Sequence, residues 1–482
     1  MVRLYTDHPQ YANDIADEVR LFAGREEIVP AQGDECEISV TLREEGDRWF
    51  ARASAFIGGR SAEYALERPA CRGSTLEIKR QEKRAMKIAA FRALRELYGF
   101  APPWGSLTGI RPTRMLRELV EREGEVEAMR TMAEDFDVSA EKCALARSIN
   151  AVQEPILASL SARDADVYIN IPFCPSKCLY CSFPSKVRTA TDDMGAYLAA
   201  LERDIALGAM ILSEGGRRVR AVYIGGGTPT VLTADELSRM MESVLFHYGG
   251  FGQELTVEAG RPDTITQEKL GVMKRFGVTR ISVNPQSMND QTLALVGRGH
   301  SSADIERAFD LVRAAGFTNI NMDVIAGLPG EHVREMEHTL ERIARLAPES
   351  LTVHTLALKR ASRLVMGTEA FPQAETAEAE EMVRVGARCA QALAMRPYYM
   401  YRQKFMSGNL ENVGYAKPGY DCVYNIDMME DAASIMAHGA GSMTKCVYEA
   451  ERRVERVPAP KDIHTYAAKV ETLAAEKRKL FL

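Results

Sequence analysis

The run Cys174-Pro-Ser-Lys-Cys178-Leu-Tyr-Cys181 places three thiols within eight residues. Thiolates gathered in one loop are the donor set of a soft metal centre. An iron–sulfur cube normally takes four Cys ligands, so a cube held by these three keeps one iron open to a non-protein ligand. A structural zinc site would want a fourth Cys or His close by. None lies in the loop, and the next histidine along the chain is His247. The donor set favours the cluster. The other cysteines (Cys36, Cys71, Cys143, Cys389, Cys422, Cys446) are scattered singly, as buried reduced thiols are.

A metal loop needs a scaffold, and the surrounding pattern supplies one. Val167-Tyr-Ile-Asn-Ile-Pro-Phe173 reads as a strand leading into the cysteines. Further strand candidates are Ala221–Ile224, Leu255–Ala259, Arg280–Val283, Ile320–Ile325 and Ser350–Thr355. Helical stretches near 193–214, 233–247, 266–276, 302–315 and 331–346 separate them. Strands alternating with helices of this length predict βαβ units and a parallel sheet, here an incomplete (β/α)6 barrel. Chemistry in such barrels collects at the carboxyl ends of the strands. The strand ends carry the cysteines, Gly225-Gly-Gly-Thr-Pro-Thr230, Glu258, Asn284-Pro-Gln286, Asp323 and His354. Glycines at such a position let backbone approach a zwitterionic ligand.

The fold class expected is α/β: an α/β N-terminal accessory domain over 1–150, the partial barrel over 160–365, and a mainly helical C-terminal capping domain over 366–482. A chain of 482 residues exceeds the size of one core. In the first region, strands are expected over Glu37–Leu42 and Arg48–Ile57, split by the turn signal Glu44–Asp47. A helix follows over Leu76–Tyr98, with Met86, Ala89, Ala90, Leu94 and Leu97 on one face. Its Lys79, Arg80, Lys83, Arg84 and Lys87 read as a solvated face laced with glutamates rather than an RNA surface. The net charge of −6 argues against a nucleic-acid partner. No signal peptide or membrane-length apolar run is evident, so a cytoplasmic protein is expected.

The Cys-x3-Cys-x2-Cys loop after a strand resembles the radical S-adenosylmethionine (SAM) superfamily. Tyr168-Ile-Asn-Ile-Pro-Phe-Cys174, Gly226-Gly-Thr-Pro229, Glu258, Gln286, Gly297-Arg298 and Asp323-x3-Gly-Leu-Pro329 are together similar to the oxygen-independent coproporphyrinogen III dehydrogenase family. The likeness is strongest over about 165–360. Gly439–Ser442 resembles that family's C-terminal region, and Trp104–Pro112, Tyr398–Lys404 and Glu411–Pro418 look like its HemZ branch.

The resemblance implies a [4Fe–4S] cluster on Cys174, Cys178 and Cys181, with one or two SAM molecules. Tyr168 and Gly226 would contact the cluster-bound SAM, with Glu258 on its ribose, and the run Gly225–Gly227 is similar to the superfamily's site for the methionyl amino group. Tyr180, Gly227, Thr228, Gln286, Arg298 and Asp323 would line a second SAM or the substrate side. The implied activity is that of an oxidoreductase in haem biosynthesis. SAM cleavage to a 5′-deoxyadenosyl radical starts removal of hydrogen and carbon dioxide from two propionates of coproporphyrinogen III, giving protoporphyrinogen IX. A flavodoxin- or ferredoxin-type donor and an electron acceptor complete the reaction. The anionic tetrapyrrole needs cations; His354, Arg360, Arg402 and Lys404 are the candidates, with Lys359 and Arg363 nearby. Two departures stand out. The position two after Cys181 is Phe183, where oxidase members commonly carry another Cys. The run Glu411-Asn-Val-Gly-Tyr-Ala416 lacks the His and Trp of the family's haem-chaperone signature, which disfavours the alternative of haem trafficking. A radical SAM enzyme on another substrate is the third reading.

Overall fold

The computed structural model describes residues 1–24, 26–32, 35–109, 111–357, 362, 364, 376–403, 406–448, 451 and 453–482. They form two compact units, Met1–Arg147 with Gly408–Leu410, and Ser148–Ser407 with Glu411–Leu482.

The first unit is a five-stranded sheet with helices. Strands β1 (Val2–Thr6), β2 (Ile28–Pro30), β3 (Ile38–Glu45), β4 (Arg48–Ile57) and β5 (Arg60–Pro69) pair in the order β2-β1-β3-β4-β5. Two-residue turns at Gly46-Asp47 and Gly58-Gly59 join the antiparallel pairs β3–β4 and β4–β5. Both glycines of the second have φ of +61° and +77°, the left-handed pair that matches strand twist. Helix α1 (Ala12–Ala23) and the long α2 (Thr75–Tyr98) bury their apolar faces with the sheet in one core. Ser74 caps α2 by accepting from the Glu77 amide, and Gly99 ends it in the left-handed conformation. All five residues expected on its inner face are buried. Its basic residues are largely engaged: Lys83 lies 3.3 Å from Asp14, Lys87 3.0 Å from Glu18, and the Arg84 guanidinium 4.7 Å from the Phe136 ring centroid. Helices α3 (Pro112–Glu123), α4 (Glu125–Arg130) and α5 (Ala140–Ala158) follow.

The second unit begins its sheet with β6 (Asp164–Ile171), followed by the short β7 (Phe173–Cys174) and β8 (Lys186–Val187). Then come β9 (Arg218–Gly226), β10 (Glu254–Gly260), β11 (Arg280–Val283), β12 (Ile320–Ala326) and β13 (Ser350–Thr355). The helices between them are α6 (Met194–Glu214), α7 (Ala234–Tyr248), α8 (Gln267–Arg275), α9 (Asp290–Leu295), α10 (Ser302–Ala314) and α11 (Val333–Leu346). The six long strands run parallel in the order β6-β9-β10-β11-β12-β13, the expected partial barrel.

The C-terminal region carries helices α12 (Thr376–Ala392), α14 (Ile463–Ala468) and α15 (Val470–Phe481), where a helical pattern is expected over Thr376–Ala394 and Lys461–Lys479, and α13 (Val423–Glu430), which falls in a stretch that reads as a turn-rich loop. It also adds five strands that periodicity did not reveal: β14 (Arg396–Tyr401), β15 (Asn412–Ala416), β16 (Ser434–His438), β17 (Met443–Tyr448) and β18 (Arg453–Pro458). These extend the barrel sheet at both edges, giving β14-β15-β13 on one side and β6-β16-β17-β18 on the other. Strands β15 and β16 are buried at every residue, so neither shows the alternation that marks a half-exposed strand.

Two buried charge networks lock this region. Glu254 of β10 accepts from the Val423 amide at 2.7 Å at the start of α13, and Arg220 of β9 donates to Asp427 at 2.8 Å. Asp204 of α6 accepts from Lys477 of α15 at 2.6 Å and from Tyr466 at 2.8 Å, with His438 at 3.2 Å. Desolvation opposes its charge, but Lys477 and His438 win and hold the carboxyl well below its usual range.

Candidate functional site

The barrel strands alternate at period two. Val167, Ile169, Val222, Ile224, Leu255, Val257, Ile281, Val283, Met322, Val324, Leu351 and Val353 are apolar and buried. The intervening positions hold Tyr168 and Asn170, Tyr223 and Gly225, Thr256 and Glu258, Arg280 and Ser282, Asn321 and Asp323, Thr352 and His354. Pleating sends this polar and tyrosyl set to one face. Its members meet across strands: Tyr223 donates to Glu258 at 2.5 Å, and His354 Nε2 lies 3.6 Å from Asp323. The rings of Tyr168, Tyr223 and Tyr424 stack, with Tyr223 and Tyr424 centroids 4.5 Å apart.

The cysteine loop leaves β6 and is pinned at both ends. Strand β7 pairs with β8, the Arg188 amide donates to Cys174 O at 2.9 Å, and the Leu179 amide donates to Val296 O at 3.0 Å. All three thiols are free, Cys178 being buried and the other two half-buried. Among the described residues no three His, Cys, Asp or Glu side chains gather as for a single metal ion. Three thiols along one loop suit a multinuclear cluster, where each sulfur takes its own iron.

The glycine run is required by crowding. A Cβ on Gly225 would lie 2.8 Å from Glu258 Oε2, one on Gly226 2.3 Å from Asn170 Oδ1, and one on Gly227 2.5 Å from Phe173 O and 2.8 Å from Cys174 Sγ. Gly226 also has φ of +116°. Bare backbone thus stands between the cysteine loop and Glu258. Thr228 extends the contact, its hydroxyl 3.6 Å from Cys174 Sγ.

Arg298, Tyr180, Gln286 and Asp323 form the neighbouring group. Arg298 is buried and donates to Tyr180 Oη at 3.0 Å and to Asn284 O at 2.6 Å. Gln286 sits at φ +65° because its amide and carbonyl are both held by β12, through Asp323 O and the Ile325 amide. The buried Gln286 Oε1, Asn284 Oδ1 and Ser282 Oγ have no protein partner, so this wall presents polar atoms that a ligand can satisfy. For Asp323, desolvation pushes the carboxyl up, but the hydrogen bond from His354 and that from Asn321 hold it below its usual range.

His354 therefore joins the barrel set, 3.4 Å from Tyr401 Oη. Arg402 is buried just beyond β14. Arg360 and Lys404, with Lys359 and Arg363, lie outside the described residues. The run Glu411–Ala416 leads through β15, where Asn412 accepts from the Thr355 amide at 2.9 Å. Sequence reasoning passed over Tyr223, Tyr424, Asn170 and Arg261. Tyr223 had a signal, standing two residues before Gly225 on the inward register; Tyr424, on α13, had none.

Burial pushes the Glu258 carboxyl up to about 7, with the nearby Asp323 adding and the Tyr223 hydrogen bond opposing. A folded value above the unfolded one means the stabilisation is full below about 4.5 and is lost as pH rises through about 7. The loss is about 3 kcal/mol across that window. Glu258→Gln, which stays neutral, is expected to flatten the pH dependence of urea unfolding, so that the variant gains on the native chain as pH rises. A stability difference that does not change with pH rules this out.

Among the described residues no helix is long and apolar enough to cross a membrane. Comparison with known proteins agrees with the geometry. A sequence model of the Radical SAM superfamily matches residues 168–343. The chain is 37% identical to the oxygen-independent coproporphyrinogen-III oxidase-like protein HemZ of Bacillus subtilis, over 84% of this chain and 82% of that one. It is 34% identical to the heme chaperone HemW of the same species, over 40% of this chain and 50% of the relative. The solved structure of the Escherichia coli coproporphyrinogen III oxidase HemN superposes with a TM-score of 0.53 at 22% identity, covering 67% of this chain and 73% of that one, a likeness of fold. With this identity over most of its length, the chain belongs to the HemZ-like, oxygen-independent coproporphyrinogen-III oxidase-like family of radical SAM proteins, whose cofactors are a [4Fe–4S] cluster and SAM.

Proposed function

We propose that the protein oxidatively decarboxylates propionate side chains of a coproporphyrinogen-type tetrapyrrole to vinyl groups. The observation that carries this reading is a polar, tyrosine-lined barrel face whose strand ends adjoin the cysteine loop, in a chain similar to HemZ over most of its length. Cys174, Cys178 and Cys181 would hold the cluster. Gly225, Gly226 and Gly227 would receive the methionyl end of SAM, with Tyr168 beside the same SAM and Glu258 on its ribose, while Thr228 would face the second SAM or the substrate. When bound, cluster and SAM supply one-electron chemistry strong enough to remove a hydrogen atom from an unactivated carbon.

This chain's own side chains orient and neutralise. The stack of Tyr168, Tyr223 and Tyr424 would stiffen the barrel face on which a ring could rest. Tyr180, Gln286, Arg298 and Asp323 line the side where a second SAM or the substrate would sit. His354 and Arg402, with Arg360 and Lys404, are the proposed partners of substrate carboxylates. Each reacting propionate would lose one hydrogen atom from its β-carbon, then carbon dioxide and one electron, leaving a vinyl group.

Haem carriage is the second reading, favoured by the likeness to the heme chaperone HemW over 40% of this chain. Against it, the run Glu411–Ala416 has no histidine or tryptophan, and its Asn412–Ala416 segment is an interior strand. The decisive experiment supplies anaerobically reconstituted protein with SAM, a reductant and coproporphyrinogen III. Vinyl porphyrinogen with released carbon dioxide is the expected result. Haem binding without turnover would favour the carrier, and SAM cleavage with neither would point to another substrate.

A further inference from the structure

A ring of side chains that joins Arg261, Asp263 and His300 to the proposed contacts Arg298 and Tyr180 grips the cysteine loop at two points. Arg261 Nη1 donates to Ser176 Oγ at 2.6 Å, and Ser176 lies two residues from both Cys174 and Cys178. The opposite edge of the same guanidinium grips Asp263 through two bonds, at 3.0 and 2.9 Å. Asp263 faces His300 Nδ1 at 3.4 Å, and His300 Nε2 accepts from Arg298 Nε at 3.2 Å. Arg298 closes the ring on Tyr180, the residue before Cys181. Arg261, His300 and Arg298 are 5%, 8% and 6% exposed, so water screens these charges little.

The charge states follow from the contacts. Burial lowers the His300 pKa, and donation from Arg298 makes Nε2 the acceptor. The neutral ring therefore carries its proton on Nδ1, toward Asp263. Asp263 is desolvated, yet the proximity of His300 and the hydrogen bonds from Arg261 hold it well below its usual range, so it is ionised. The ring holds two cations and one anion. Ser176 meets the Nη1 side of Arg261, while Asp263 takes the Nε and Nη2 edge.

We propose that Arg261 is a positioning residue that holds the cysteine loop and sets a fixed positive charge beside the cluster, raising its reduction potential. The inference rests on the reading that Cys174, Cys178 and Cys181 hold the cluster. Reduction adds one negative charge to the cluster, and a buried cation nearby stabilises that form more than the oxidised one.

The test is a potentiometric titration of the anaerobically reconstituted full chain, followed by electron paramagnetic resonance. In Arg261→Gln the reduced-to-oxidised ratio at fixed solution potential should fall about tenfold, a negative shift of about 59 mV for a one-electron couple. Arg261→Lys, which keeps the charge, should titrate like the native chain. Asp263→Asn removes the offsetting anion and should move the midpoint positive; it decides the matter if Arg261→Gln fails to load iron. An unmoved midpoint in Arg261→Gln, an equal shift in Arg261→Lys, or a negative or absent shift in Asp263→Asn overturns the role of the charge. A native chain that takes up no cluster overturns the ligand assignment instead.

Discussion

Cys178→Ala is expected to abolish cluster assembly and to reduce SAM cleavage more than a hundredfold. Loss of a partner that merely orients a metal ligand costs about 10–100-fold in affinity or activity, and loss of a ligand exceeds that. Cys178 is 9% exposed, so no water freely replaces its sulfur. The loop offers three thiols with no further Cys or His within it. Iron content, visible absorbance of the anaerobically reconstituted protein and methionine release from SAM measure the effect. Cys71→Ser, in the first unit, should leave all three unchanged. Retention of iron and SAM cleavage in Cys178→Ala would remove the cysteine loop from the chemistry altogether.

Gly227→Ala should be nearly as damaging, for a steric reason. The added methyl would sit 2.5 Å from the Phe173 carbonyl oxygen and 2.9 Å from its carbon, both backbone atoms. That backbone is not free to retreat, since Phe173 O accepts from the Thr228 amide at 2.8 Å and the Gly227 amide donates to Ile171 O at 2.8 Å. Overpacking a rigid contact costs about 1–3 kcal/mol, and this one falls at the upper end or beyond. The displacement also reaches Cys174 Sγ, 2.8 Å from the same methyl, so iron loading should fall along with the urea midpoint. Gly271→Ala is the control: it lies in α8 with nothing within 4 Å, and should stabilise by about 0.5–1 kcal/mol. If Gly227→Ala unfolds and loads iron as the native chain does, the close approach of the glycine run to the loop is wrong.

Much of the barrel could be read along the chain because its signals are local. Each of the six parallel strands overlaps its expected range, and α6 to α8, α10 and α11 fall where the 3.6-residue pattern put them. The short α9 was passed over. Strands β15 and β16 were missed because their pairing is remote, about 60 residues from β15 to β13 and about 270 from β16 to β6, and because strands buried at every residue leave no alternation to read.

The cysteine loop, the parallel barrel and the glycine turn were thus determined by residue type and spacing, since a run of thiols, a βαβ repeat and a turn are properties of adjacent residues. Which side chains share a site was decided by folding. Tyr424 reaches Tyr223, Arg261 reaches Ser176, and Asp204 collects Lys477 and His438 only once remote elements pack together. The same packing sets ionisation, because desolvation of Glu258 and the pairing of Asp323 with His354 depend on neighbours that no short window of sequence contains.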